Sequence, residues 1–390
     1  MRDTLLIREL RLEDFLSFAT PGVSVGLRAL NVLIGPNGSG KSNVLEALAV
    51  LRASPGDLAG LLRSGGGVTE YIWKGDRNPD AAWIEVELRP YVRSSTSPLV
   101  FGFFLTALGT RLEIIHEYIY RQDGVREFLY KSGSGTGTLN SPLQEGRAEA
   151  VAEMKADKSI LSQLRDPITY PEITYIGDRF SSIALFQDWN VARRSAARLP
   201  QPTDLPNDFL LPDGSNLGLI LHDLSQTSAK RDEVSEYLRK FYERARYITT
   251  KIQGGTLQLY IEEEGGRLIP ATRLSDGTLR YLCLLAILLH PNPPPVIGIE
   301  EPELGLHPDI LPTIAELLRK ASERTQLFVT THSETLVSAL SDTPECILVC
   351  ESTPDGTTMK RLEAEPLREW LEKYSLGELW RMGEIGGNRW

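Results

Sequence analysis

One eight-residue segment constrains the fold more than any other part of this 390-residue chain. Residues 35–42 read GPNGSGKS and fill every fixed position of the pattern GxxxxGK[ST]. They follow the apolar run RALNVLIG and precede the helical pattern NVLEALAVLR. Glycines in such a loop let successive backbone N–H groups turn inward around an anion, and the following helix adds the positive end of its dipole. The sequence therefore predicts a strand, a phosphate-binding loop and a helix, in that order.

The residue types in this loop predict its ligands. Lys41 would reach the β and γ phosphates of a nucleotide, and the Ser42 hydroxyl would ligate Mg²⁺. We therefore expect ATP and Mg²⁺ to bind here. The predicted nucleotide-binding residues are Gly35, Pro36, Asn37, Gly38, Ser39, Gly40, Lys41, Ser42 and Asn43.

A second motif, VIGIEEPE, ends an apolar run with two acidic residues. A strand that ends this way delivers carboxylates to the edge of a sheet, which we expect to lie beside the phosphate loop. Glu300 would hold Mg²⁺ through a water, and Glu301 would polarise the attacking water as general base. Two acids that merely end a buried strand are the alternative, and the presence of a phosphate loop favours the catalytic interpretation.

The next apolar run, QLFVTTHS, places His332 at its end. An imidazole N–H there could sense the γ-phosphate and hold the attacking water, where a carboxylate would repel the phosphate. Taken alone, His332 would more often be a hydrogen-bonded core residue. The order of the motifs favours the catalytic role.

The segment LSDGT immediately precedes a long apolar helical pattern. Ser275, the Gly277 backbone and the helix dipole would form an anion site without a lysine. Such a site completes the coordination of a γ-phosphate held by the loop of another subunit. Simple helix capping is the alternative interpretation. The predicted residues of this site are Leu274, Ser275, Asp276, Gly277 and Thr278.

The rest of the chain predicts an α/β protein with an added antiparallel lobe. Short alternating runs between residues 81 and 131 indicate antiparallel strands, and SGSGTGT after them indicates a surface loop. Residues 145–165 and 229–251 have helical, charge-rich spacing. From about residue 257, short apolar strands alternate with helices, which is typical of a mixed or parallel sheet covered on both faces.

These patterns divide the chain into three predicted segments. Residues 1–140 would form an N-terminal lobe with the phosphate loop and the antiparallel strands. Residues 141–255 would form an inserted, mainly helical subdomain, and residues 256–390 the C-terminal lobe with the remaining motifs.

Composition limits the environments and partners of the chain. With 52 acidic and 42 basic side chains the formal net charge is -10, so DNA contact would require a local basic patch. The three cysteines lack metal-site spacing and indicate a reducing cytoplasm. No apolar run is long enough to span a bilayer. Basic side chains cluster in two places, where a solvated face is the alternative to DNA binding: Arg193, Arg194 and Arg198, and then Arg239, Lys240, Arg244, Arg246 and Lys251.

The four motifs, in this order, resemble the ABC-type ATPase heads of the SMC, RecF and OLD proteins. The strings GPNGSGKSNVLEAL, EEPELGLHP, TTHSETLVSAL and YSLGELWRMGEIGG look most like the compact bacterial AAA-type ATPases of the RecF/OLD-like group. The resemblance covers about the first fifty residues and the chain from about residue 270 onward. It implies an ABC-type P-loop fold, in which LSDGT is the signature that reaches the partner's nucleotide.

The resemblance also implies head-to-head dimerisation around two ATP molecules, slow hydrolysis, and work in DNA repair or antiphage defence with DNA, a nuclease or another separate effector. Residues 303–307 would cross the dimer interface. Gln187 would join Mg²⁺ to the attacking water, with an ordinary surface glutamine as the alternative. Glu300 departs from the family, because most relatives have aspartate at this position.

Two other functions are consistent with a phosphate loop. The chain could be the nucleotide-binding subunit of a membrane transporter, but Gly35 and Leu274 are 239 positions apart, a far longer spacing than such subunits usually have, and LSDGT differs from their usual LSGGQ. It could also be a scaffold that binds ATP without hydrolysing it. Glu301 and His332 argue against the scaffold.

Overall fold

The computed structural model describes residues 5–75, 77–91, 97–133, 136–140, 148–151 and 154–387. These residues form two compact units. The P-loop unit contains residues 5–183, 345–363 and 383–387, and the signature unit contains residues 184–344 and 364–382.

The strands of the described residues are, in chain order, β1 (Ile7–Glu13), β2 (Val23–Gly26), β3 (Leu30–Ile34), β4 (Ala81–Leu88), β5 (Leu99–Leu108), β6 (Arg111–Asp123), β7 (Val125–Gly133), β8 (Thr136–Asn140), β9 (Ala148–Val151), β10 (Ala184–Phe186), β11 (Gln201–Pro202), β12 (Ala245–Gln253), β13 (Thr256–Glu263), β14 (Leu268–Pro270), β15 (Val296–Glu300), β16 (Gln326–Thr330), β17 (Ile347–Thr353) and β18 (Gly356–Arg361).

The α-helices of the same residues are α1 (Lys41–Ala53), α2 (Leu58–Ser64), α3 (Val68–Tyr71), α4 (Ile160–Gln163), α5 (Pro171–Ser181), α6 (Leu217–Leu224), α7 (Ser228–Phe241), α8 (Asp276–Leu288), α9 (Leu311–Ser322), α10 (Glu334–Ser338), α11 (Ala364–Leu371) and α12 (Leu376–Met382). None of these helices is long and apolar enough to cross a membrane.

The P-loop unit contains the predicted antiparallel lobe. Its sheet has the order β2-β1-β4-β5-β6-β7-β8-β9, and each neighbouring pair is antiparallel. In β4, Ala82, Ile84, Val86 and Leu88 are buried, as the alternation of AAWIEVEL requires. The fold class inferred from the sequence, α/β with an antiparallel lobe, is confirmed.

Most of the glycine-rich segment predicted as a surface loop is strand. Ser132 and Gly133 end β7, and Thr136, Gly137 and Thr138 belong to β8, which pairs with β7. Residues 134 and 135 lie outside the described residues. Threonine is favoured in strands, and the threonines of β8 alternate along it. The glycine between them is rare in strands, so the sequence looks like a loop although it forms a strand.

The P-loop unit also holds the strand that leads into the phosphate loop. All five residues of β3 are buried, and β3 runs parallel to β17, with Val32 opposite Ile347. β18 pairs with β17 in the antiparallel sense. A strand buried on both faces holds its C-terminal end firmly, so the loop after Ile34 begins from a fixed point.

In the signature unit, three parallel strands bring three predicted site segments to one sheet edge. β15 runs parallel to β10, with Ile299 opposite Phe186, and parallel to β16, with Glu300 opposite Thr330. Parallel strands in register end at the same edge. The residues that follow β10, β15 and β16 are therefore neighbours.

The segment 141–255, predicted as one inserted subdomain, contributes to both units. It contains α4–α7, but also β9–β12, and the unit boundary lies between residues 183 and 184. The helical pattern predicted for residues 229–251 holds only as far as Phe241, where α7 ends, and β12 follows. In β12 the buried residues Ala245 and Ile248 are three positions apart, and the register with β13 shifts between Ala245 and Tyr247. This spacing hides the strand pattern in the sequence.

Candidate functional site

The phosphate loop connects β3 to α1 as predicted. Gly38 and Gly40 have φ angles of 78° and 87°, in the left-handed region that favours glycine. Gly40 is the N-cap of α1, and no side chain caps the helix. The glycine N-cap leaves the N-terminal end of the helix facing the loop, as an anion site of this type requires.

Lys41 lies inside the loop rather than on its surface. It is 5% exposed, and its Nζ donates to the carbonyl oxygens of Gly35 and Pro36, each at 2.9 Å. Its Nζ also lies 3.5 Å from Ser39 Oγ. Ser42, the next residue of α1, is exposed. The loop thus surrounds a buried ammonium group and presents a hydroxyl at its rim.

Ser17 and Thr357, which no sequence motif identified, support this loop. Asn43 Nδ2 and Thr357 Oγ1 both donate to Ser17 Oγ at 2.7 Å, and Thr357 N donates to Ser17 O at 2.8 Å. Ser17 follows β1, and Thr357 lies in β18, so the contacts join distant parts of the sequence. These contacts pack Gly40 and Asn43 against β18 and the segment that follows β1.

This packing predicts different effects for two substitutions in the loop. Gly40→Ala would place a Cβ 2.5 Å from Thr357 Oγ1 and 2.6 Å from Ser17 Oγ, whereas a Cβ at Gly38 would have nothing within 4 Å. Both variants carry the left-handed backbone strain, about 1–2 kcal/mol. Gly40→Ala should lose about 1–3 kcal/mol more because of overpacking. Thermal denaturation of the two variants measures the difference, and equal stabilities would contradict it.

The paired acids stand at the end of β15. Glu301 adopts φ 44°, a left-handed conformation that is uncommon for residues other than glycine. Its N–H donates to Thr330 O at 3.0 Å, which fixes it to the neighbouring strand β16. Strained backbone of this kind concentrates at functional sites.

His332 lies beside Glu301, so two of the predicted catalytic residues are neighbours. Its Nε2 is 3.6 Å from Glu301 Oε1, and the two side chains are 36% and 35% exposed. Glu303 supports the histidine: its Oε1 accepts hydrogen bonds from His332 N at 2.9 Å and from Thr331 Oγ1 at 2.6 Å. An imidazole and a carboxylate are thus held side by side with access to solvent.

Gln187 directly follows β10 and is half-buried. Since Phe186 is opposite Ile299 in the parallel register, Gln187 comes level with the end of β15, where Glu300 lies. A surface glutamine without a role at the site would be expected to lie far from Glu300 and Glu301. The structure instead places Gln187 at the sheet edge that carries them.

The signature segment begins α8. Ser275 is the N-cap, and its Oγ accepts from Thr278 N at 3.0 Å, so the capping interpretation is correct as local structure. Leu274 is buried, and Asp276 is the first residue of the helix. A Cβ on Gly277 would lie 2.7 Å from Gly305 O, in the loop that follows the paired acids. The glycine therefore lets that loop pack against the signature.

Arg198 holds the signature in place, contrary to its predicted place in a basic surface cluster. It is 3% exposed, donates through Nη1 to Leu274 O at 2.6 Å, and pairs through Nη2 with Asp276. A planar guanidinium with several N–H donors suits this role. Arg193 and Arg194 are exposed, but without Arg198 the first cluster is reduced to two side chains.

A buried arginine and a tryptophan underlie the paired acids, and neither belongs to a motif. Trp189 Nε1 donates to Glu300 O at 2.8 Å, and Arg280 Nη2 donates to Glu301 O at 3.3 Å. Burial lowers the pKa of the Arg280 guanidinium, and the nearby carboxylates of Glu303 and Glu301 oppose this effect.

Comparisons with known proteins show the family and the fold of this chain. The family model described as "AAA domain, putative AbiEii toxin, Type IV TA system" matches residues 30–338, which include the phosphate loop, the signature, the paired acids and His332. The chain belongs to this family. No curated protein matches it significantly.

Solved structures of Smc heads share the fold. The Smc head bound to the C-winged helix domain of ScpA is 16% identical, with a TM-score of 0.60 over 93% of this chain and 99% of that one. The Pyrococcus furiosus Smc head with an extended coiled coil, bound to the C-terminal domain of ScpA, is 14% identical, with a TM-score of 0.57 over 94% and 99%. A Pyrococcus yayanosii Smc head is 12% identical, with a TM-score of 0.53 over 94% and 99%. These likenesses confirm the predicted fold, that of an ABC-type P-loop head.

Proposed function

We propose that this family member is a Mg²⁺-dependent ATPase that works as an ATP-gated switch. The observation that carries the proposal is the combination of a glycine cradle around the Lys41 ammonium with a Glu301–His332 pair held at 3.6 Å. A loop that only turned the chain would need neither a buried lysine nor an acid and an imidazole at a strained strand end.

The residues present fit ATP and Mg²⁺. The left-handed glycines and the N-terminal end of α1 suit a polyphosphate, and Lys41 supplies the compensating charge. Hydroxyl, carboxylate and amide oxygens suit Mg²⁺, which binds through few protein groups together with substrate phosphates. Ser42, Glu300 and Gln187 would hold the metal, and when bound it would neutralise charge on the phosphates.

Glu301 would act as the general base. Its carboxylate takes a proton from water as the water oxygen bonds to the γ-phosphorus, and the bond from that phosphorus to the bridging oxygen breaks to release ADP. His332 would hold the water and the γ-phosphate through its ring N–H. The contacts from Glu303 to His332 N and Thr331 Oγ1 keep the histidine in place for this role.

We propose that the active form is a homodimer. The Ser275 cap, the Gly277 backbone and the start of α8 form an anion site without a lysine, which would complete the coordination of the partner's γ-phosphate. Membership of a family described as an AAA domain and putative AbiEii toxin, together with the likeness to Smc heads, suits an ATP-controlled switch in DNA repair or antiphage defence. DNA or a separate effector protein would then respond to the ATP-bound state.

The test is phosphate release measured over a range of protein concentrations with saturating Mg²⁺ and ATP. The rate per molecule should fall in proportion to concentration once dilution separates the dimer, because each site needs a partner's signature. An unchanged rate in demonstrably monomeric samples would contradict the shared site. Nucleotide binding without any phosphate release would support the scaffold alternative instead.

A further inference from the structure

We propose that Arg280 and Trp189 are positioning residues for Glu301: a stacked pair that fixes the backbone of the two acids. The proposal rests on the function of Glu301 proposed above. It adds residues that no motif of the phosphate loop, the signature or the paired acids contains.

The pair contacts the two acids through their main chain. Trp189 Nε1 donates to the carbonyl of Glu300, and Arg280 Nη2 donates to the carbonyl of Glu301. The Arg280 guanidinium carbon lies 4.8 Å from the centre of the Trp189 ring, within the range of a cation–π contact. Two consecutive carbonyls are thus held by two side chains that also hold each other.

The surroundings of Arg280 leave it few other interactions. The residue is 5% exposed, and within the described part of the chain its Nε has no hydrogen-bond partner. A buried charge without full pairing is costly, and the indole face, the Glu301 carbonyl and the nearby carboxylates of Glu303 and Glu301 offset its desolvation. Because burial of a partly paired guanidinium costs free energy, the presence of arginine at this position indicates a specific role.

The backbone of Glu301 is the part of the site that most needs support. Its φ of 44° is strained, and such conformations persist only where surrounding contacts determine them. Thr330 O accepts from its N–H, and its own carbonyl accepts from Arg280 and from Leu304 N at 3.1 Å. Because the side-chain direction follows from this backbone, loss of the Arg280 contact would misdirect the carboxylate.

The test compares Arg280→Lys and Trp189→Phe with the wild type. Lysine keeps the charge but cannot lie flat on the indole while bonding the carbonyl, and phenylalanine keeps the ring but loses the N–H. Since small misplacements at a reacting group can cost about 10²-fold, Arg280→Lys should lower kcat about 10- to 100-fold. KM for ATP should stay within about threefold, because the substitution does not change the residues that bind the nucleotide equally in the ground state and the transition state. Trp189→Phe should lower kcat less.

Hydrogen exchange of the nucleotide-free protein gives a second readout. In Arg280→Lys the amides of Glu301 and Leu304 should exchange about 10-fold faster, as expected for a local opening. Exchange in α9, on the same unit, should be unchanged. Arg267→Lys, at an exposed arginine in the turn between β13 and β14, is the matched control and should behave as wild type.

The outcomes separate the two proposals. If Glu301→Gln stops turnover but Arg280→Lys keeps kcat within about twofold, the positioning role is overturned and the ATPase stands. A common fall in kcat, nucleotide affinity and melting temperature would also overturn it, since that pattern marks a purely structural residue. If the wild type releases no phosphate, the ATPase fails, and wild-type exchange rates in Arg280→Lys would then overturn the positioning role independently.

Discussion

Replacing Glu301 with glutamine is expected to stop ATP turnover while ATP stays bound. Glutamine has nearly the same shape and can keep the backbone contacts to Thr330 and Arg280, but its amide cannot accept a proton from water. A general base contributes about 10²–10⁴-fold to a rate, so kcat should fall by that factor. Nucleotide affinity should remain close to that of the wild type.

The same variant should accumulate the ATP-bound dimer. In the proposed cycle hydrolysis is the step that separates the two molecules, so a chain that binds ATP without cleaving it would stay paired. Light scattering after size exclusion, with and without Mg²⁺ and ATP, measures the dimer fraction. Glu323→Gln, at an exposed acid just after α9 in the same unit, is the control and should cycle normally. Undiminished turnover by Glu301→Gln would remove Glu301 from the role of base.

The parts of the site that could be predicted from sequence are those built by local structure. Gly35 to Ser42 is contiguous, and the strand before it and the helix after it each show their own pattern in the sequence. Glu300 and His332 each end a buried apolar run, and parallel pairing of β15 with β16 brings the ends together. Local patterns and a general rule of sheet topology were therefore enough for these residues.

The supporting residues could not be predicted, because their partners are far away in the sequence. Arg198 acts on Leu274, 76 positions later, and Thr357 acts on Ser17, 340 positions earlier. An arginine near other arginines looks like a surface cluster until its acceptors are known. Trp189 and Arg280 could not be predicted for the same reason. Each contacts a main-chain carbonyl, and since every residue has one, the sequence does not show which carbonyl is the partner.

The middle of the chain was the least predictable for a related reason. Strand β10 has three residues, too few to show a period, although it determines where Gln187 lies. In strand β12 the buried residues Ala245 and Ile248 are three positions apart, and the register with β13 shifts between Ala245 and Tyr247, so no period of two shows in the sequence. In both cases the partner strand, rather than intrinsic preference, decides the structure.

Replacing Lys41 with methionine is expected to abolish nucleotide binding, and turnover with it. Methionine has a similar length but lacks the ammonium that would meet the β and γ phosphates. Each hydrogen bond to a charged group is worth about 1.5–3 kcal/mol, and Lys41 would make more than one with ATP. The loss of about 3–4 kcal/mol corresponds to an affinity about 10²–10³-fold lower. Titration calorimetry with ATP and Mg²⁺ measures it.

The stability of the variant shows whether the effect belongs to binding or to the loop itself. Lys41 Nζ donates to the carbonyls of Gly35 and Pro36, so Lys41→Met removes two loop contacts as well as a phosphate contact. A melting temperature close to that of Lys360→Met, at an exposed lysine of β18, would show that the loop has survived. Weak binding by a stable Lys41→Met then identifies the ammonium as the phosphate contact. Wild-type affinity in that same stable protein would mean that the triphosphate is held elsewhere.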